Sequence, residues 1–271
     1  MVSDKSDGKP AAPMSAGGDL AERDTPPRRE VYADYAAATP LAPEVLAAMQ
    51  PFYVDLFYNP SAPYAAARRV HAKLDEARAR MAKVLGTRAA NITLTAGATE
   101  ANNLAFAAVS GPVVCDAIEH ESVLACAQDR GGTIVGVDSA GRVDPAAIAQ
   151  AITPATELVS VELANGEVGT IQPIRAIAQI VAAERMRRLE EGERTPLLFH
   201  TDASQAAGQV SLNVSTLGVD LMTISAAKIY GPKQVGLLWH ADGVALRPLV
   251  RGGGQEGGVR SGTENVAGAV G

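Results

Sequence analysis

Only two cysteines, Cys115 and Cys126, occur in the 271 residues. That number excludes a disulfide framework or a cysteine zinc cluster and fits a reducing, cytoplasmic setting. No stretch approaches the ~20 consecutive apolar residues of a membrane-spanning helix. A basic stripe is also missing: 24 Lys+Arg stand against 30 Asp+Glu, a formal net charge of −6. This argues against nucleic acid as the main partner and leaves small molecules as the default ligand class. What is present is ordinary for a globular chain. Hydrophobic residues make up 47% and charged residues 20%, enough apolar surface to bury a core in about one to two domains.

Residues 1–30 are rich in Pro, Gly, Ser and charge and have no apolar period, so the expectation is a disordered leader. Its acids (Asp4, Asp7, Asp19, Glu22, Asp24) and its lack of an apolar centre argue against a secretory signal or a mitochondrial presequence. From residue 31 onward the pattern changes to alternating helices and strands. Val70, Leu74, Ala77, Met81 and Leu85 form one helical stripe over residues 63–85, closed by Gly86. Short apolar strands are expected at 91–95, 113–118, 133–137, 158–163, 197–201 and 221–224. Helices are expected at 120–128, 145–151 and 173–189, and Thr99 is expected to cap another that runs through Leu104. Apolar strands without polar alternation, separated by helices, predict a three-layer α/β sandwich with a mostly parallel central sheet. Ligands of such sheets gather at the carboxyl ends of the strands.

Polar groups do cluster at those ends. Small residues and a helix start follow NITL (Ala96, Gly97, Ala98, Thr99), an arrangement suited to phosphate, although an ordinary capped turn explains the same letters. His120 follows the strand at 113–118, as a ligand-facing imidazole or a simple cap. Asn165-Gly166 follows the strand at 158–163 and is by itself a turn signal. Asp202 ends the strand at 197–201 and Lys228 follows the one at 221–224. These two could form a buried ion pair, or serve as a lysine that condenses with a carbonyl cofactor and the partner of a protonated pyridine nitrogen. Gly252, Gly254 and Gly257 match GxGxxG by spacing, but no strand-to-helix unit surrounds them, so they are discounted as a dinucleotide site.

In order, YADYAAATP (32–40), YNP (58–60), AGATEANN (96–103), EHESVL (119–124), ANGEVGTIQP (164–173), HTDASQAAG (200–208), VDLMTISAAKIYGPKQVG (219–236) and GGGQEGGVRSGTENV (252–266) resemble one family. It is the cysteine desulfurases, within the class V aminotransferase group of fold-type I pyridoxal-phosphate (PLP) enzymes. The resemblance implies a PLP-binding domain over residues 31–271. Lys228 would hold PLP covalently, Asp202 would keep its pyridine nitrogen protonated, and His120 would stack on the ring and help move protons. Asn165 and Gln205 would bond the ring's phenolic oxygen. Ala98, Thr99 and Ser225 would hold the phosphate, while Thr263 would reach the phosphate of a neighbouring subunit, implying a homodimer. The implied reaction takes sulfur from L-cysteine as a protein persulfide, releases alanine and passes sulfur to an acceptor protein, for iron–sulfur assembly or tRNA thiolation.

The pattern also departs from that family. Its catalytic cysteine and its carboxylate-binding arginine lie beyond the RSGT string, in a C-terminal small domain, and this sequence stops at Gly271. The expectation is therefore a PLP-binding portion whose sulfur-handling half is lost or supplied by a separate chain. Cys115, within an apolar strand, and Cys126, within a helix, are expected to be inert. Ala227 replaces the usual histidine before the lysine, and Ser61-Ala62-Pro63-Tyr64 replaces a Ser-x-x-His stretch. A lost hydrogen bond to phosphate is worth ~1.5 to 3 kcal/mol, which weakens cofactor binding without abolishing it. The alternatives are a non-catalytic PLP-binding or partner-binding remnant, or another class V enzyme such as an aminotransferase or a selenocysteine lyase.

Overall fold

The computed structural model describes residues 30–271, so residues 1–29 of the expected leader lie outside the described residues. The chain divides into two units, Met1–Ala33 and Asp34–Gly271. Residues 30–33 of the first carry no helix or strand. The second holds all the elements described below.

Two proline-started helices come first, α1 (Pro43–Met49) and α2 (Pro51–Val54). Proline suits this position because its missing N–H is one that a helix start leaves unpaired anyway. The long helix α3 (Ala65–Leu85) follows, and Gly86 closes it at φ 66°, a left-handed conformation that glycine adopts without strain. The stripe Val70, Leu74, Ala77 and Leu85 is buried, as the periodicity predicts. Strands and helices then alternate: β1 (Ile92–Thr95), α4 (Ala98–Ala107), β2 (Val113–Asp116), α5 (Glu121–Asp129), β3 (Thr133–Val135), α6 (Pro145–Ala151) and β4 (Leu158–Ser160). The series continues with α7 (Ile174–Glu190), β5 (Leu198–Asp202), α8 (Val214–Leu217), β6 (Leu221–Ser225), β7 (Gly236–His240) and α9 (Val266–Val270).

The seven strands form one sheet in the order β1-β7-β6-β5-β4-β2-β3. The run from β6 to β3 is parallel, while β7 is antiparallel to both its neighbours. The sheet is thus mostly parallel, with one reversed strand that the sequence reading did not include. Three strands are shorter than expected, ending at Asp116, Val135 and Ser160.

Strand residues alternate between two cores, as a period of two requires. Val114, Phe199, Met222, Leu237 and Trp239 pack on one face against Ile148 of α6 and Ile177 and Val181 of α7. Val113, Cys115, Leu158, Leu221 and Leu238 pack on the other face against Leu104 and Phe106 of α4 and Val123 of α5. The result is the three-layer sandwich. Val70 and Leu74 of α3 make a third, smaller core with Val266 and Ala269 of α9. Among the described residues, no helix is long and apolar enough to cross a membrane.

One contact requires glycine. Gly236 of β7 lies opposite Thr95 of β1, and a Cβ placed on it would stand 2.6 Å from the Gly97 carbonyl carbon. That overlap is with backbone, so the turn before α4 would have to move. We predict that Gly236→Ala costs about 1–3 kcal/mol of stability through overpacking, measured by denaturant unfolding. Phe199 is fully buried under α7, and Phe199→Ala should lower the unfolding free energy by about 3–5 kcal/mol in the same measurement.

Candidate active site

The carboxyl ends of β1, β2, β4, β5 and β6 share one edge of the sheet, and a cavity of about 260 Å³ opens there. Each strand end contributes to its wall. Ala98 and Thr99 come from the turn after β1, His120 from the loop after β2, and Glu162 from beyond β4. Asp202, Ser204 and Gln205 come from β5 and its turn, and Ser225 and Lys228 from the end of β6. Seven of the nine residues singled out from the sequence therefore line one cavity.

The turn that leads into α4 is built differently from expectation. Gly97, not Thr99, is the N-cap, at φ 112° and ψ 176°. Thr99 is the second helical residue and is exposed. The reason is the backbone conformation, since a φ of 112° disfavours any side chain although a Cβ at Gly97 would meet no neighbour. Glu100 reaches back to accept from the Ala96 N–H at 2.8 Å, while Arg260 donates to both its oxygens at 2.9 and 3.3 Å. The first N–H groups of α4 are left facing the cavity, with a neutralised carboxylate behind them.

Asp202 is held on both oxygens. Its Oδ2 accepts from Asn102 Nδ2 at 2.8 Å and its Oδ1 from the Ser204 N–H at 2.9 Å. Asn102 also donates to Ser122 Oγ at 2.9 Å, and Ser122 Oγ lies 2.8 Å from His120 Nδ1. A chain of polar contacts thus joins His120 to Asp202. The Ser122 backbone N–H donates to His120 Nδ1 at 3.1 Å. A backbone N–H can only donate, so Nδ1 accepts and the neutral ring carries its proton on Nε2. His120 is both the cap of α5 and a wall of the cavity.

Lys228 leaves β6 through a short 3-10 turn, Ala226–Lys228. Its ammonium makes no ion pair with Asp202. It donates instead to the carbonyls of Ala36 and Ala37 at 2.6 and 2.7 Å. Gln205 Nε2 donates to the same Ala36 carbonyl at 2.9 Å. The Thr39 N–H and hydroxyl both donate to the Ala227 carbonyl at 3.0 Å, so residues 36–39 form a strap along the lysine turn.

Two candidates lie elsewhere. Asn165 does not itself line the cavity but its side chain bonds Glu162, which does; its Oδ1 accepts from the Glu167 and Val168 N–H groups at 2.8 and 2.9 Å, and its Nδ2 donates to the Ile118 carbonyl at 3.0 Å. It holds the turn after β4, as the Asn-Gly pair suggests. Thr263 lines a neighbouring cavity with Arg260, Glu256 and Asn265 and is exposed.

Beneath the cavity lies a group of buried acids that the sequence reading passed over. Glu119 accepts from Ser160 Oγ at 2.9 Å, Ser160 Oγ contacts His200 Nδ1 at 2.9 Å, and His200 Nε2 meets Thr223 Oγ1 at 3.1 Å. Burial pushes the Glu119 carboxyl well above its usual range, and the Asp116 and Glu162 charges add to the shift. Burial likewise raises Asp116 to about 6 and Glu162 to about 8, and lowers His200 to about 4. Glu162 left a signal in the sequence, a lone charged residue in the apolar run LVSVEL. Both thiols are raised, Cys115 and Cys126 mainly by burial, so neither is poised as a nucleophile. Among the described residues, no cluster of His, Cys, Asp or Glu is placed to hold a metal ion.

A carbonyl cofactor with a phosphate and a basic ring nitrogen fits these residues: an amine, a carboxylate and a helix N-terminus meet in one cavity. Two of its wall atoms, Glu162 Oε1 and Ser204 Oγ, are buried and have no hydrogen-bond partner among the described residues. Such atoms call for an occupant.

Residues 31–271 match the family described as aminotransferase class-V. A curated relative, cysteine desulfurase IscS of Dictyoglomus turgidum, is 40% identical over 256 residues, covering 90% of this chain and 62% of the relative. Cysteine desulfurase IscS 1 of Archaeoglobus fulgidus is 38% identical, covering 89% and 63%. The chain therefore spans about 62% of the length of the first of these curated relatives. Among solved structures, SspA in complex with cysteine superposes with a TM-score of 0.79 at 34% identity, covering 88% of this chain and 70% of that one. A NifS-like protein from Rickettsia africae gives 0.79 at 31% identity, covering 88% and 65%. The fold, the cavity at its strand ends and these likenesses agree: the chain belongs to the class-V aminotransferase family, whose cofactor is pyridoxal phosphate.

Proposed function

We propose that this chain binds PLP at Lys228 and serves the removal of sulfur from L-cysteine, leaving alanine. The observation that carries this reading is the single cavity joining Lys228, Asp202, His120, Gln205, Ser225 and the start of α4. When bound, PLP supplies an electron sink for the charge left on a substrate's α-carbon. The chain's own residues do the rest. Asp202, oriented by Asn102 and by the Ser204 N–H, holds a proton on the ring nitrogen through its carboxylate. The α4 N-terminus, Thr99 and Ser225 bind the phosphate. His120, which lines the cavity, would have its Nε2–H free to donate there, and Gln205 would help hold the ring. Lys228, which donates to the Ala36 and Ala37 carbonyls, would have to give up those bonds to hold the cofactor.

The thiol that takes the sulfur is neither Cys115 nor Cys126, because one is buried in β2 and both are held protonated. That thiol comes from another segment or a separate chain, and an acceptor protein takes the sulfur onward. Thr263, exposed outside this cavity, fits contact with the phosphate of a second subunit in a homodimer. The two unpaired thiols suit a reducing, cytoplasmic setting. A second reading, PLP binding without desulfuration, is favoured by the same placement of the cysteines.

Purified protein mixed with PLP should gain a visible absorbance band that Lys228→Ala abolishes. Equal bands in both proteins, or none in either, would refute the cofactor assignment. L-cysteine and a reductant are then added, and sulfide and alanine are measured. Product formation supports the first reading, and a Lys228-dependent band without products supports the second.

A further inference from the structure

Glu162 is a carboxyl that the site reading above does not use. The chain stays extended beyond β4, where the Val161 and Leu163 N–H groups donate to the His200 and Asp202 carbonyls at 3.1 and 2.9 Å. Val161 and Leu163 point into the core under α7. Strand alternation therefore sends Glu162 to the opposite face, where it lines the cavity with Asp202, Ser204, His120 and Lys228. The residue is only 6% exposed, and its Oε1 has no hydrogen-bond partner among the described residues. A buried polar atom without a partner is costly, so the geometry implies a partner in the ligand.

The charges around it decide its state. Asp116 from β2, Asp202 from β5 and Glu167 from the turn after β4 all oppose a negative charge on Glu162. Glu119, buried after β2, is itself raised by Glu162. His120 and Lys228 face the same cavity. Burial is the largest influence and the Asn165 side chain opposes it, leaving the carboxyl titrating at about 8. At neutral pH Glu162 is an uncharged acid, able to donate a hydrogen bond.

We propose that Glu162 is a positioning residue for the bound ring: an uncharged carboxylic acid that donates a hydrogen bond into the cavity beside Asp202. This rests on PLP being the occupant. Below the titration of Glu162 the ring faces one carboxylate, Asp202. Above it the ring faces two, which hold a proton on the ring nitrogen more firmly and disfavour any anionic substrate group nearby.

Glu162→Gln mimics the protonated acid in shape and in its ability to donate, and it cannot titrate. The first measurement uses cofactor-free protein. A carboxyl raised from 4.5 to about 8 binds more protons folded than unfolded between those values. Its contribution to stability is present below pH 4.5 and is lost as pH rises through 8. Wild type should therefore lose stability relative to Glu162→Gln across that window, read by denaturant unfolding. A difference that stays constant with pH would overturn the proposal. The second measurement follows the visible spectrum of PLP-loaded protein against pH. Wild type should show a step near pH 8 that is lost in Glu162→Gln. A wild-type band whose pH response is unchanged in the variant would overturn the positioning role alone. Absence of any Lys228-dependent band in wild type would overturn the cofactor reading and this proposal with it, while the unfolding series would still report the state of Glu162.

Discussion

Burial of the sheet on both faces is the constraint on which the rest of the structure depends. With α6 and α7 on one side and α4 and α5 on the other, strand interiors are mostly apolar, the buried Ser160, His200 and Thr223 bonding one another, and the charged chemistry gathers toward the strand ends. Because β1, β2, β4, β5 and β6 point the same way, their ends converge, and residues as distant in sequence as Thr99 and Lys228 meet around one cavity. The same burial sets the electrostatics. Asp116, Glu119, Glu162 and Asp202 lie close together in a poorly solvated volume where they cannot all be charged. Asp202 receives two hydrogen bonds suited to an anion, whereas Glu119 and Glu162 keep their protons. Position in the sheet thus separates a carboxylate held by hydrogen bonds on both oxygens from buried carboxyls that burial pushes upward.

The contrast between β6 and β7 shows how much of this is legible in the sequence. LMTIS and GLLWH are equally apolar pentapeptides, yet only the first stands out, because strands in this chain announce themselves by alternating with helices. β7 returns through the tight turn after Lys228, with no helix before it, and runs antiparallel. Its pairing with β1 depends on contacts across the chain that no local pattern records. The long helix α3, by contrast, is written in its own period and in Gly86.

The site divides in the same way. Asp202 and Lys228 are visible because a charged residue at the end of an apolar strand is conspicuous. Gly97 is not, since capping preference favours Thr99 and only the φ of 112° in the folded turn reveals why glycine is needed. Asn165 reads as a turn residue, and its Oδ1 does hold the turn after β4. Glu162 stood in plain view in LVSVEL, but its importance comes from Asp116 and Asp202, which are distant in sequence and adjacent only after folding.

The pairing of β1 with β7 also bears on when the site can exist. β1 touches no other strand, so the turn that carries Gly97 is anchored through Gly236, far along the chain. The strand β1 therefore takes its place in the sheet only with β7 between it and β6, although α4 also packs against α5, β5 and β6. Contacts of such long range are closed late and slowly. One wall of the cavity is thus completed by a strand that follows the lysine in sequence, and a single strand pairing ties the first part of the site to the last.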